Sequence, residues 1–332
     1  MKLSIIVPVY NTAPWLKRCM DSVLKPDCGP EVEIVAVNDG STDDSRAILA
    51  EYEGRFPELV RVIDTPNGGL GHARNTGVEA ARGDWLLFLD SDDWLSANAV
   101  QEMMTVLDTS AETDDIVVFD LKHVDGEGRE LQYFRGTERE DPFRFADFPA
   151  FLFSPHNAVN KLWRRELFTG TGIRFPDRLW FEDLATMPRL YLHARGVIPV
   201  HSAWYCYYQR PGSIMLSASK AERNLEMLRV EDLVLDHYRA EGAFERFRTE
   251  LEYKFWYEAY LASVTRVNRI DARSPVQATL RDDYIRRFPD YRNNPYVRAA
   301  SPKLHLLDRE IRLGRWTFVR ALISLNNKSK GR

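Results

Sequence analysis

The first constraint on this chain is a rhythm in its opening hundred residues. Short apolar runs of strand length alternate there with stretches of helical spacing. Residues 3–9, 32–37, 60–63 and 85–89 are the apolar runs. Between the first two, Trp15, Leu16, Cys19, Met20, Val23 and Leu24 make a helical stripe, with Asn11 or Thr12 as cap and Pro14 in the first turn. Ser41, Thr42, Asp43 and Asp44 supply cap and first-turn acids for a helix through Tyr52, and 71–81 reads as the next helix. Strands alternating with helices imply an α/β fold with a doubly wound, mostly parallel sheet.

Past residue 93 the rhythm changes. The patterns predict a helix over 97–107, a strand over 115–120, an edge strand over 129–135 and a short aromatic element over 145–153. Helices are predicted over 160–168 and 182–193, and a strand rich in Trp and Tyr over 197–209. From 220 onward the chain reads as helical, over 220–241, 243–268, 276–287 and 304–325. No internal repeat is visible, and the break between the two regimes falls at 215–220.

Composition narrows the function classes. With 45 basic and 49 acidic residues the net charge is −4, unlike a chain that binds nucleic acid along its length. The charge is uneven, net −14 over residues 1–258 and net +10 over 259–332. Three cysteines, Cys19, Cys28 and Cys206, are an odd number without zinc or redox spacing, which points to structural thiols in a reducing compartment. No apolar run reaches the ~18 residues of a transmembrane helix. The apolar start reads as a buried strand and not a signal peptide. The expectation is a cytoplasmic chain whose only membrane contact is peripheral, at the inner face of the cell membrane.

In open α/β sheets, ligands bind beyond the carboxyl ends of the strands. Three polar clusters fall there: Pro8-Val9-Tyr10-Asn11, Asn38-Asp39-Gly40-Ser41-Thr42-Asp43, and Asp90-Ser91-Asp92-Asp93. The last follows Trp85-Leu86-Leu87-Phe88-Leu89, a run apolar enough for a central strand. Three carboxylates within four residues repel one another, and a divalent cation with oxygen ligands, Mg²⁺ or Mn²⁺, relieves that repulsion. A simple helix N-cap needs one aspartate, not three.

Those clusters, with Ser4-Ile5-Ile6-Val7 ahead of the first, Asp44-Ser45 after the second, and Asn67-Gly68-Gly69-Leu70-Gly71-His72-Ala73-Arg74-Asn75-Thr76-Gly77 between the second and third, resemble family-2 glycosyltransferases of the GT-A fold, of the bacterial surface-polysaccharide type. The likeness covers residues 1–100, and Asn160-Lys161-Leu162-Trp163 and Phe181-Glu182-Asp183-Leu184 extend it to about 215. It implies an enzyme (a hexosyltransferase) using a nucleotide-diphosphate sugar, with UDP-sugar the expected donor, and inverting the anomeric centre with Mn²⁺ or Mg²⁺. It implies a domain over 1–218, with a donor half over 1–100 and an acceptor half over 101–218, and a helical region over 219–332.

The resemblance also implies roles. Asp39 matches the position that recognises the donor base, with Pro8, Tyr10 and Asn11 around it. The family often has Asp where this chain has Asn38. Arg74 matches a donor-site arginine. Asp90 and Asp92 match the Asp-x-Asp pair, with Ser91 between them, Asp92 as the direct metal ligand and Asp90 toward the ribose or a metal-bound water. Asp183 matches the catalytic base, with Glu182 beside it holding an acceptor hydroxyl or orienting the loop. Arg210 and Ser213 match an Arg-x-x-Ser segment over the diphosphate. Trp180, Phe181 and Asp93 are candidate acceptor contacts. Chemistry agrees on the need: a dianionic leaving group calls for positive charge, and an inverting displacement calls for a base on the opposite face.

Other features carry less. Gly69-Leu70-Gly71 is half of a dinucleotide fingerprint without the strand-one context. His72, His156, His193 and His201 have no metal-ligand spacing. In 303–325, leucines and aromatics interleave with Arg309, Arg312, Arg315 and Arg320, which fits either an anionic bilayer surface or packing with snorkelling arginines. An aromatic stripe from Phe244 to Tyr260 fits core or a homodimer face. The expected acceptor is a hydroxyl of a bacterial surface glycan or lipid-linked glycan intermediate. A nucleotidyltransferase is the runner-up, disfavoured because Tyr10-Asn11-Thr12-Ala13-Pro14 is not a Gly-rich basic loop; a non-catalytic glycan-binding homologue is the third class.

Overall fold

The computed structural model describes residues 1–24, 29–210 and 221–330. The chain divides into two compact units, Met1–Pro211 and Gly212–Arg332. Cys28 and Ser213 lie outside the described residues, as does the boundary placed at 218/219.

The first unit is built on one sheet. Strands β1 (Leu3–Val9), β2 (Val32–Asp39), β3 (Val60–Thr65) and β4 (Trp85–Phe88) alternate with helices α1 (Ala13–Val23), α2 (Ser45–Arg55) and α3 (Leu70–Ala80). They pair in parallel in the order β3-β2-β1-β4, with β1 and β2 buried along their whole length. Such strands need apolar residues on both faces, which is why they read as continuous runs.

The sheet continues with β5 (Trp94–Leu95), β6 (Ile116–Val124), β7 (Glu130–Phe134), β8 (Lys161–Arg164) and β9 (Val197–Tyr208), in the order β4-β8-β6-β9-β5 with β7 on β6. β8 runs antiparallel between β4 and β6. β6 therefore points the same way as β4, and β9 runs parallel to β6. Helices α4 (Ala99–Thr109), α5 (Glu166–Thr169) and α6 (Glu182–His193) complete the unit.

The predicted helix over 160–168 is therefore wrong in its first half: Lys161–Arg164 is a sheet strand. A four-residue run buried between two neighbours has no face to expose, so periodicity does not separate strand from helix. The predicted cap of α1 also differs. Thr12 makes no side-chain cap bond; Asp43 Oδ2 accepts from Ala13 N at 3.0 Å and Ser45 Oγ from Thr12 N at 3.1 Å.

The second unit is helical: α7 (Glu226–Ala240), α8 (Phe244–Phe255), a π-helical turn (Trp256–Ala262), α9 (Ser263–Ile270), α10 (Val276–Arg287), α11 (Pro295–Arg298), α12 (Pro302–Arg312) and α13 (Trp316–Lys330). The aromatic stripe of 244–260 supplies core: Phe247, Leu251, Phe255, Trp256 and Tyr260 are all buried. The helix predicted over 304–325 is two helices. Gly314 takes φ +66 after α12, the left-handed conformation that ends helices at glycine. No helix among the described residues is long and apolar enough to cross a membrane.

Gly77 of α3 faces Ile6 of β1, and a Cβ there would overlap Ile6 Cγ2. Alanine favours a helix by about 1 kcal/mol, but overpacking a close-packed contact costs about 1–3 kcal/mol. Gly77→Ala is therefore expected to be destabilising, by about 1 kcal/mol or more. Denaturant unfolding measures it, and a variant as stable as the parent contradicts this packing.

Candidate active site

The carboxyl ends of β1, β2 and β4 meet at one rim, closed by the start of α6. Its loops are tied to one another. Asn11, at φ +53, accepts from Thr42 N at 2.8 Å, and its own N–H donates to Ser41 Oγ at 3.2 Å. Thr12 Oγ1 donates to Ser91 Oγ at 2.9 Å. Ser91 is buried, so it braces the acidic loop from below. Tyr10 is 50 % exposed and stands free at the end of β1, whereas Pro8 is buried within the strand.

Asp39 is buried, and both its oxygens hold the turn that opens α3. Oδ1 accepts from Gly68 N at 2.8 Å; Oδ2 accepts from Gly69 N at 2.9 Å and Asn67 Nδ2 at 3.2 Å. Gly69 adopts φ +91, which the turn requires. Asn38 donates to Asp64 Oδ1 at 2.8 Å and accepts from Ser41 N at 3.1 Å. An aspartate at 38 would lose the donor and face a second carboxylate, which explains the asparagine here.

Arg74 is the centre of the rim. Only 3 % of its side chain is exposed; Nη1 donates to Glu182 Oε1 at 2.7 Å and Nη2 to Asp90 Oδ1 at 3.0 Å. Its guanidinium lies against the touching Phe88 and Phe175 rings, 5.9 and 5.4 Å from their centres. Burial works against the cation, but Asp90, Glu182 and Asp183 outweigh it and hold its pKa above the ordinary arginine value. The Nε of Arg74 is buried with no partner among the described residues.

The other two aspartates of the loop differ. Asp92 Oδ2 accepts from Arg210 Nε at 2.6 Å, and the Arg210 guanidinium lies 4.4 Å from the Trp15 ring centre. Burial and then Asp90 push the Asp92 carboxyl up, against Arg210. Asp93 departs from the expectation of an acceptor contact. It is 2 % exposed, accepting from Tyr205 OH at 2.6 Å and Tyr208 N at 2.7 Å. Both oxygens anchor β9, and burial drives this carboxyl well above its usual range.

Glu182 and Asp183 open α6, after Phe181 at φ +66. A left-handed non-glycine residue stores strain of about 1–3 kcal/mol, and here it turns the chain so that both acids reach the rim. Asp183 Oδ1 accepts from Leu184 N at 2.8 Å. Burial pushes Glu182 up to about 7, against Arg74. The Trp180 and Phe181 rings meet edge-on at 5.4 Å, both half-buried.

Two residues of the site were not legible as functional. Tyr205 alternates on a strand like a core residue, yet its hydroxyl joins Asp93 and accepts from Asp90 N at 3.2 Å. Lys161 is fully buried; its Nζ donates to Asn160 Oδ1 at 2.7 Å, Pro155 O at 2.8 Å and Asn157 O at 3.1 Å. Burial lowers its pKa to about 7, with Asp183 pulling the other way. The Asn160-Lys161 pair was visible as a motif, but nothing in the sequence says which way a lysine in a buried strand turns.

The family profile described as "Glycosyl transferase family 2" matches residues 4–168. The glycosyltransferase GlyG of Streptococcus pneumoniae is 30 % identical over 230 residues, 64 % of this chain and 72 % of that protein. The poly(ribitol-phosphate) beta-N-acetylglucosaminyltransferase TarS of Staphylococcus aureus is 30 % identical over 221 residues, 66 % of this chain. The matched region is 37 % of TarS, so the chain spans little more than a third of that relative. The crystal structure of S. aureus TarS 1–349 in complex with UDP-GlcNAc superposes with a TM-score of 0.62 at 22 % identity, over 99 % of this chain and 92 % of that one.

The raised pKa of Glu182 has a definite sign. Folding favours its protonated form, so its contribution to stability is present below the ordinary glutamate value and is lost as pH rises through about 7. Glu182→Gln removes that titration while keeping an acceptor for Arg74. The difference in melting temperature between variant and parent should therefore grow in the variant's favour from pH 5 to about 7.5; parallel melting curves across that range would contradict it.

Proposed function

The chain belongs to glycosyl transferase family 2, and we propose that it moves a sugar from a UDP-sugar to a hydroxyl of a bacterial surface glycan, inverting the anomeric centre. The observation that carries the reading is the rim itself. Arg74 joins Asp90 to Glu182 and feels the charge of Asp183, and Arg210 holds Asp92. Carboxylates on a metal-binding loop next to a second acidic pair are what a displacement at a diphosphate-linked carbon needs. The UDP-GlcNAc bound to TarS supports a UDP-linked donor, and the poly(ribitol-phosphate) named as substrate for TarS supports a cell-envelope polymer as acceptor.

In this reading Tyr10 stacks on the base. Asp39 and the Asn67–Gly69 backbone shape the pocket for it, and Asn11 and Ser91 brace the rim. Asp92 and Asp90 would hold a divalent cation, Mn²⁺ or Mg²⁺. The donor set fits: both are carboxylates, each with one oxygen on an arginine, and the upward push of Asp92 by burial and by Asp90 is the charge conflict that a hard cation relieves. What such an ion supplies, when bound, is positive charge against the departing diphosphate.

Arg210 offers a planar fork suited to the same diphosphate; engaging it means sharing or leaving Asp92. Asp183 takes the acceptor proton. The acceptor oxygen forms its bond to the anomeric carbon from the side opposite the breaking carbon–oxygen bond. UDP leaves with that bond's electron pair, and the hydroxyl proton goes to the Asp183 carboxyl. Glu182, held by Arg74, positions the start of α6, and Trp180 and Phe181 offer apolar faces to an acceptor.

Asp183→Asn should cut transfer by at least ~100-fold, the range of lost general-base catalysis, and leave UDP affinity within about twofold. Asp92→Asn should weaken metal-dependent UDP binding as well as transfer. Calorimetric titration of UDP with Mn²⁺, beside a radiolabelled transfer assay, measures both. Full transfer by Asp183→Asn would sink the assignment of the base.

A further inference from the structure

The second unit holds a cavity of about 230 Å³ lined by Arg292, Val297, Arg298, His305 and Asp308. Several other arginines of this unit are paired. Arg287 is paired with Asp283 and Asp232, Arg281 with Asp282, and Arg315 with Glu310. The side chains of Arg292, Arg298 and His305 are exposed and have no hydrogen-bond or ion-pair partner among the described residues. Helical spacing puts Arg312 one turn beyond Asp308 on the same face of α12, also outside the ion pairs.

The frame behind these cations is fixed. Asp308 Oδ1 accepts from Tyr291 OH at 2.7 Å and Trp256 Nε1 at 3.2 Å, and its backbone oxygen accepts from Tyr260 OH at 3.3 Å. The wall carrying Arg292 and Arg298 is pinned by Asn294. Its Nδ2 donates to Thr249 O at 2.7 Å and Glu252 Oε2 at 2.8 Å, and its Oδ1 accepts from Tyr296 N at 2.9 Å. One oxygen of the only carboxylate in the lining is thus engaged by a phenol and an indole, while two exposed guanidinium forks and an imidazole have no partner among the described residues.

We propose that this cavity binds a phosphate group carried on an ester. Two planar guanidinium forks match the oxygens of a tetrahedral oxyanion, which accepts from both at once. At about 30 Å³ of liquid volume per water, the space holds a phosphate together with the first carbons of its alcohol. The site gives part of the +10 charge of residues 259–332 a specific use. It stands apart from the transfer reading, since no residue of the rim contributes to it.

The test uses the full chain, with UDP present throughout so that phosphate uptake at the rim does not register. Inorganic phosphate and glycerol 3-phosphate are titrated at constant ionic strength against chloride, and phosphatidylglycerol vesicles against phosphatidylcholine vesicles. Saturable binding of glycerol 3-phosphate is expected. Arg292→Gln/Arg298→Gln should weaken it at least tenfold, and Arg309→Gln, a change outside the lining, should leave it within twofold. Arg298→Lys keeps the charge and loses the fork, so an intermediate loss is expected; it also serves if the double variant does not fold. Vesicle binding displaced by glycerol 3-phosphate supports the site with a lipid headgroup as source. Ester binding without vesicle binding supports it with a soluble ester. Absence of saturable phosphate or ester binding, or equal binding by the double variant, overturns it, as does vesicle binding that survives the arginine changes.

Discussion

The rim depends on one buried guanidinium. Arg74 reaches from α3 to the end of β4 and to the start of α6. An arginine at 3 % exposure is tolerated only where good geometry offsets its desolvation. Here the aromatic rings of Phe88 and Phe175 pack around it and two carboxylates face it. The next residue completes the seam. Asn75 donates to Phe175 O at 2.8 Å and accepts from Phe175 N at 3.0 Å, which fixes the segment leading to Trp180 and Glu182. Two neighbouring side chains of α3 thus set where the second acidic pair stands relative to the first.

That arrangement concentrates negative charge, and the rim answers it in three ways. Arg74 and Arg210 each take one oxygen of the Asp-x-Asp pair. Asp93 is withdrawn into the protein, where burial favours its protonated form. Glu182 is pushed up to about 7, so near neutral pH it too is divided between its charged and neutral forms. Lys161 meets this logic from the other side. It is a buried cation close enough to Asp183 to be stabilised by it, with three carbonyl oxygens for its three N–H donors.

Much of this was legible in the sequence, for physical reasons. Fully buried parallel strands must be apolar on both faces, so β1, β2 and β4 announced themselves, and the acids at their ends stood out against them. Five places were not legible. β8 is too short and too buried to show a period. Gly314 divides the last predicted helix because a left-handed residue satisfies the ends of α12, a signal present in the sequence and outweighed by the arginine-rich periodicity around it. Asp93 and Asp39 look like their ligand-facing neighbours in sequence. Only the fold reveals that Tyr205 and the Gly68–Gly69 backbone occupy their oxygens. Lys161 turns inward because the Pro155, Asn157 and Asn160 oxygens await its ammonium, which the apolar run around it does not announce.

The central claim is that the acids gathered by Arg74 and Arg210 work with a divalent cation on a UDP-linked sugar. The most direct measurement is UDP release by the full chain from a panel of UDP-sugars with Mn²⁺, and again after EDTA. Release from at least one of them, with EDTA abolishing it and Mn²⁺ restoring it, is the predicted result. Release that persists unchanged in EDTA, or no release from any UDP-sugar together with no thermal stabilisation by UDP and Mn²⁺, would contradict the claim.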